Sequence, residues 1–388
     1  MSRIKYVGVT DKKKKLFEGL WPLPYGVTYN SYLIVDEKVA LIDTVEEDFE
    51  EEFLQKIREE IGDRKIDYLI VNHMEPDHSG VIASVRNTYP DVEIIASQKA
   101  ATMIEGYHGI AASEIRTVKE GETLCLGETS VSFYMAPMVH WPEVMVTWYE
   151  AENTLFSADA FGTFGAVEQW NCFEDYREEM TRYYTNIVGK YGAPVQAALK
   201  KLSSLPIHRI CSTHGPVWEE EAGKVVALYD KLSRYEPEKG VCIVYGSMYG
   251  NTTKAAKALA VELEKRGIPY GIHDLCNGVS NPEDLGQSGA IADLFKYNIL
   301  VVGSPTYNNC IFPPVASFMD AAAARLVKGR KFFAFGSYTW AAASIKLLNE
   351  KAVASGFTLL GEGIAFPQAY SPEKCDMAMV AGLIEKNL

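Results

Sequence analysis

Residues 72–80 read NHMEPDHSG and place His73, Glu75, Asp77 and His78 within six positions, directly behind the apolar run of 68–71. A short apolar run bounded by polar residues reads as a buried strand. Two imidazoles and two carboxylates are therefore delivered together where a strand leaves its sheet. On an extended continuation alternate side chains share one side, so His73, Glu75 and Asp77 are expected to converge at a sheet edge. Four such groups exceed what one ion requires and point to two. The competing reading is a polar turn in which Asp77 caps a helix starting near Ser79.

Three further stretches bear on the choice. PMVHWPEVM offers His140, LFSADAFG offers Asp159 and ICSTHGP offers His214, each beside an apolar run. Polar groups at such positions are costly unless paired or bound to metal. Taken singly, His140 also reads as a satisfied core histidine and Asp159 as a helix cap. Taken together they give four imidazoles and three carboxylates, with no thiolate. That donor set suits redox-capable non-haem iron at least as well as zinc.

Length and composition set the frame. A chain of 388 residues has room for two or three domains, each with its own core. The seven cysteines are scattered without a Cys-x-x-Cys pair, which excludes a locally built rubredoxin-type site and points to reduced thiols in a cytoplasm. A formal net charge of −13 disfavours nucleic acid or an anionic membrane as partner. The lysine run at 12–15 reads as a solvated turn. The first residues lack an apolar signal core, and no uninterrupted apolar stretch is long enough to span a bilayer, so a soluble cytoplasmic protein is expected.

Short strand-like runs alternate with helical ones up to a charged helix at 219–235, followed by EPEKG at 236–240, a polar stretch read as a domain boundary. The expected domains are 1–238 and 239–388. Beyond the boundary, VCIVYGS, NILVVGS and KFFAFGS are apolar strands separated by helices, the pattern of parallel βαβ units in a doubly wound sheet. The loop Ser247, Met248, Tyr249, Gly250, Asn251, Thr252 follows the first strand and opens a helix, so its backbone N–H groups and the helix dipole suit a phosphate. Alone it also reads as an ordinary turn capped by Thr252. Two more strand ends carry loops of matching character: Ser304, Pro305, Thr306, Tyr307, Asn308 and Asn309, then Ser337, Tyr338, Thr339 and Trp340. In doubly wound sheets ligands bind where such loops converge. Tyr307, Tyr338 and Trp340 could flank a flat ring; Trp340 reads equally as core.

With three loops in this order, the segment from about Val241 resembles a flavodoxin, which implies FMN. His73-x-Glu75-x-Asp77-His78, then His140, Asp159 and His214, ahead of a flavodoxin-like domain, resembles the flavodiiron proteins over essentially the whole chain. The resemblance implies an N-terminal αββα metallo-β-lactamase-like sandwich and an FMN domain. It further implies one iron on His73, Glu75 and His140, a second on Asp77, His78 and His214, and Asp159 bridging; some members leave the histidine matching His78 uncoordinated. It also implies a head-to-tail homodimer or dimer of dimers, and an external electron donor such as rubredoxin or a flavin reductase. The sequence departs from the family at Tyr25, often His, at Cys310, often Gly, and at Thr339 and 341–343. The expected activity is reduction of dioxygen to water, with nitric oxide reduction to nitrous oxide as the alternative. A dizinc hydrolase fused to a flavodoxin domain, and an electron carrier with a vestigial metal domain, are the readings from other classes.

Overall fold

The computed structural model describes residues 3–277 and 285–388. The chain divides into two compact units, Met1–Ser233 and Arg234–Leu388. The polar stretch at 236–240 is therefore not a free linker: the first strand of the second unit, Glu238–Tyr245, begins inside it.

The first unit is built on two sheets. One has six strands, with Tyr32–Val35, Val39–Ile42, Tyr68–Val71 and Glu93–Ala96 at its centre; the last three run parallel. The other has five, running from Thr123–Cys125 through Ser130–Met135, Met145–Tyr149 and Thr154–Phe156 to Arg209–Cys211. Alternation decides what lies between them. Ile34, Ala40, Ile42 and Ile70 from the first sheet meet Val131, Phe133, Met145 and Phe156 from the second in one buried cluster. The intervening residues Leu33, Leu41 and Leu69 are equally buried on the opposite face. Helices Glu50–Ile61 and Gln98–His108 bury their own apolar stripes, and helices Gly192–Leu202 and Ala222–Ser233 meet Ala136 and Val146 at the second sheet, giving an αββα layering.

The second unit carries a parallel sheet ordered Tyr270–Asp274, Glu238–Tyr245, Tyr297–Gly303, Lys331–Tyr338, with Thr358–Leu359 and Ile364–Pro367 sharing the far edge. Numbered along the unit this is the 2-1-3-4-5 order of doubly wound flavodoxin-like sheets. Val241, Ile243 and Tyr245 pack on helices Asn251–Lys265 and Met377–Glu385. On the other face Cys242 donates its thiol to Ala290 O of helix Gly286–Lys296. The split edge strand is forced at Gly363: its φ is +85°, and a Cβ there would lie 2.6 Å from Ala334 O.

Candidate functional site

Strand ends of both sheets of the first unit bring the seven predicted ligands together. His73 follows Tyr68–Val71, Asp159 follows Thr154–Phe156, His214 follows Arg209–Cys211, and His140 lies in the connection before Met145–Tyr149. Asn72 ties the sheets at this edge: its carbonyl accepts from Met145 N at 3.1 Å and its side-chain oxygen from Thr147 Oγ1 at 2.8 Å.

The ligating atoms form two groups, His73, Glu75, His140 and Asp159 in one, Asp77, His78 and His214 in the other. In the first, His140 Nε2 lies 3.0 Å from both Glu75 Oε2 and Asp159 Oδ2, and His73 Nε2 lies 3.6 Å from Asp159 Oδ2. In the second, His78 Nε2 and His214 Nε2 are 3.0 Å apart, with Asp77 Oδ1 3.4 Å from His78 and Asp77 Oδ2 3.5 Å from His214. Asp159 serves both: its Oδ1 is 3.1 Å from His78 Nε2 while its Oδ2 faces the first group. The expected alternation of an extended strand holds for His73 and Glu75 only. Pro76 starts a helical turn, Pro76–Ser79, and that turn swings Asp77 and His78 to the second group. Asp77 thus lies within the turn and caps nothing; the residue before the turn is Glu75, whose side chain makes no capping bond.

Two rings have their tautomers fixed from behind. His73 Nδ1 donates to Glu143 Oε1 at 2.8 Å and His214 Nδ1 donates to Thr28 O at 2.7 Å, so each turns an Nε2 lone pair inward. Both carboxylate oxygens of Asp77 are buried without a hydrogen-bond partner. An unpaired buried carboxylate is costly, and burial pushes the Asp77 carboxyl up to about 7. Burial lowers His214 to about 4, with the His78 charge adding to the effect. His140, although desolvated, is carried up to about 9 by Asp159 and Glu75. Converging lone pairs, an orphaned carboxylate and opposed pKa displacements are the marks of a donor set that fits cations.

Supporting residues were not legible as such. Glu143, 1% exposed, accepts from Met74 N as well as from His73; its only signal is a carboxylate opening the apolar strand VMVTWY. Asp43 accepts from the backbone N–H groups of Asn72 and His73 at 2.7 and 3.2 Å. Thr213 donates to Asp159 Oδ1 at 2.5 Å. Tyr25 packs against Trp170 with ring centroids 5.0 Å apart and the rings tilted by 53°.

In the second unit a cleft of about 310 Å³ opens at the carboxyl end of the sheet. Its lining includes Ser247, Met248, Tyr249, Asn251, Ser337, Tyr338, Thr339 and Trp340 with the whole 305–309 loop. Three expected residues stand behind it. Gly250 precedes the helix at φ +82° and donates to Ser247 Oγ, Thr252 is buried against Ser337, and Ser304 Oγ accepts from Phe312 N. Asn308 and Asn309 both have positive φ, 48° and 57°, in a two-residue turn between Thr306–Tyr307 and Cys310–Ile311, as a type I′ hairpin requires. Trp340 is 85% and Tyr249 90% exposed, so the core reading of Trp340 fails. Gln368, at the end of the fifth strand, lines the cleft and was missed, although Tyr370 and Ser371 stand close behind it.

The two folds and their sites define a flavin- and metal-dependent redox protein. Residues 27–215 match the ODP family beta lactamase and residues 243–382 match Flavodoxin. The chain is 32% identical to the anaerobic nitric oxide reductase flavorubredoxin of Vibrio vulnificus over 370 residues, which covers 92% of this chain and 73% of that one. It is 32% identical to the nitric oxide reductase of Moorella thermoacetica, covering 92% and 90%. The structure of rubredoxin oxygen:oxidoreductase from Desulfovibrio gigas superposes with a TM-score of 0.91 at 29% identity, over 99% of this chain and 96% of that one. The chain belongs to the flavodiiron proteins and is an oxidoreductase with FMN and a diiron centre as cofactors. Among the described residues no helix is long and apolar enough to cross a membrane.

Proposed function

We propose that this protein reduces dioxygen to water in the first unit with electrons that enter through the flavin. His73, Glu75 and His140 would hold one iron and Asp77, His78 and His214 the other. The observation that carries this reading is Asp159, whose Oδ1 and Oδ2 face different ligand groups, as a bridging carboxylate must. When bound, FMN would supply two electrons and the two irons one each, four in all, which is the electron demand of dioxygen conversion to water.

The protein's own part is to fix donors and exclude water. Glu143 and Thr28 hold the His73 and His214 rings so that each presents its Nε2 inward. Phe17, Tyr29 and Tyr183 pack on His214 at centroid distances of 5.2, 5.9 and 5.4 Å, and Trp141 meets His73 at 5.4 Å. These rings make a dry wall in which charge interactions are little screened. At the cleft, Trp340, Tyr249 and Tyr307 would flank the isoalloxazine ring and the turn at Gly250 would take the phosphate. A head-to-tail homodimer or a dimer of dimers would set flavin beside metal, and rubredoxin or a flavin reductase would feed it, in the cytoplasm. The names of the Vibrio and Moorella relatives favour a second reading, nitric oxide reduction to nitrous oxide.

Metal analysis with the visible spectrum, followed by anaerobic stopped flow and a gas electrode, tests the proposal. Two irons and one FMN per chain with faster dioxygen turnover are expected. Nitric oxide turnover several-fold above dioxygen turnover would replace the substrate. Two zincs without iron would replace the redox reading by a hydrolase.

A further inference from the structure

A second, smaller cavity lies in the first unit, between helix Gly192–Leu202 and the segments that carry two of the ligand residues. Its volume is about 20 Å³. Val139 and Ala160 form one side, and these are the chain neighbours of His140 and Asp159; Val195, Ala198 and Leu199 form the other. Val139 and Val195 are buried, whereas Ala198 and Leu199 are only partly so, so the cavity runs from near the surface towards the ligand-bearing loops.

Every residue of the lining except Tyr229 is purely hydrocarbon in its side chain. Tyr229 directs its hydroxyl away, donating to Gly162 O at 3.2 Å, and its ring packs on Phe161 with centroids 4.9 Å apart. The volume would admit one small guest, but a buried water needs two to four polar partners and none is offered by these side chains. An apolar cavity of this kind stays dry and takes apolar guests instead.

We infer that this cavity is a holding site for an apolar diatomic gas, dioxygen first, on an intramolecular approach to the His140 and Asp159 side of the ligand cluster. Its occupant rests on the gas-reductase reading; its capacity for an apolar guest does not. Occupancy raises the local concentration of a sparingly soluble substrate beside the site and asks water to make no hydrogen bond in exchange. Ala198 governs the space, since its side chain is small and stands on the helix side, away from every proposed ligand.

Crystals of the holoprotein under pressurised xenon, compared with crystals of Ala198→Phe, test the inference together with steady-state kinetics. Xenon is expected in the wild-type cavity and absent from the variant. The variant is expected to lose about fivefold in kcat/KM for dioxygen while kcat at saturating gas is kept, the pattern of lost access and not of damaged chemistry. Ala198→Leu, a milder filling, gives the same reading should the phenylalanine variant not fold. No xenon in the wild-type cavity overturns the inference, as does a variant that excludes xenon yet keeps kcat/KM. Absence of turnover with either gas in the wild type overturns the gas-reductase reading instead, and xenon binding then still reports on the cavity.

Discussion

Replacing Glu143 by glutamine isolates the charge behind His73. Glu143 Oε1 accepts from both His73 Nδ1 and Met74 N, at 2.8 and 3.0 Å, and a glutamine oxygen in the same place accepts both, so geometry is kept. What is lost is charge assistance. A hydrogen bond to a charged acceptor contributes about 1.5–3 kcal/mol against about 1 kcal/mol for a neutral pair. Glu143 Oε2 has no partner, and the amide NH₂ that replaces it would be a buried donor without an acceptor, which adds to the loss. The lost charge assistance alone is about 0.5–2 kcal/mol, or about 2- to 30-fold in affinity, overlapping the lower part of the range of about 10- to 100-fold found for outer partners of metal ligands. The loss falls on the His73, Glu75 and His140 group, so one iron should leave before the other. Chelator competition with iron counted per chain reads this directly, and urea unfolding of the metal-free protein checks that the fold is intact. Two irons lost together, or an affinity within about twofold of wild type, would refute the reasoning.

Four further outcomes are expected. Asp77 titrates at about 7 and His140 at about 9, both raised, so cation binding to the metal-free protein must displace protons and affinity should climb as pH rises through these values; calorimetry in buffers of different ionisation enthalpy measures the protons released. The same raised Asp77 pKa means that its contribution to metal-free stability is present at low pH and fades as pH rises through about 7, which thermal unfolding at pH 5 and 8 reads, at about those values. Gly250→Ala places a Cβ at φ +82° and should cost about 1–2 kcal/mol, seen as a lower urea midpoint of the second unit. Trp340→Ala should weaken FMN binding about fivefold, near the 0.5–1.5 kcal/mol of an aromatic pair; an unchanged fluorescence titration would remove Trp340 from the flavin contact.

How much of this could be read from the sequence follows from how local the signal is. The strand Tyr68–Val71 and the ligands behind it announce themselves because an apolar run and a polar cluster adjoin. The split of that cluster into two groups came only through the resemblance and not from strand alternation, because it depends on Pro76 ending the extended chain and starting a turn of four residues. Glu143, Asp43 and Thr213 escaped for another reason: Glu143 reaches His73 only because the two sheets meet, while Asp43 reaches His73, and Thr213 reaches Asp159, across neighbouring strands of a single sheet, and none of these pairings is written in the local sequence. In the second unit hydroxyl-rich loops marked the cleft, whereas Gln368 comes to it because the strand before it shares the far edge of the sheet.

Charge explains why this arrangement calls for two cations. Glu75, Asp77 and Asp159 bring three negative charges into a site where Asp159 is fully buried and Glu75 and Asp77 are 7% exposed; the nearest imidazoles, when ligating, are neutral. One divalent ion would leave that set anionic in a poorly screened interior, while two leave a small positive excess that a bound hydroxide or an oxidised metal can adjust. Geometry agrees with the charge: a single ion among His73, Glu75, His140 and Asp159 would leave the Asp77 carboxylate unpartnered and two Nε2 atoms 3.0 Å apart. Glu75 is the residue that takes the set from two carboxylates to three. As an iron ligand it would make the site harder and more anionic, which would favour the higher oxidation state of iron.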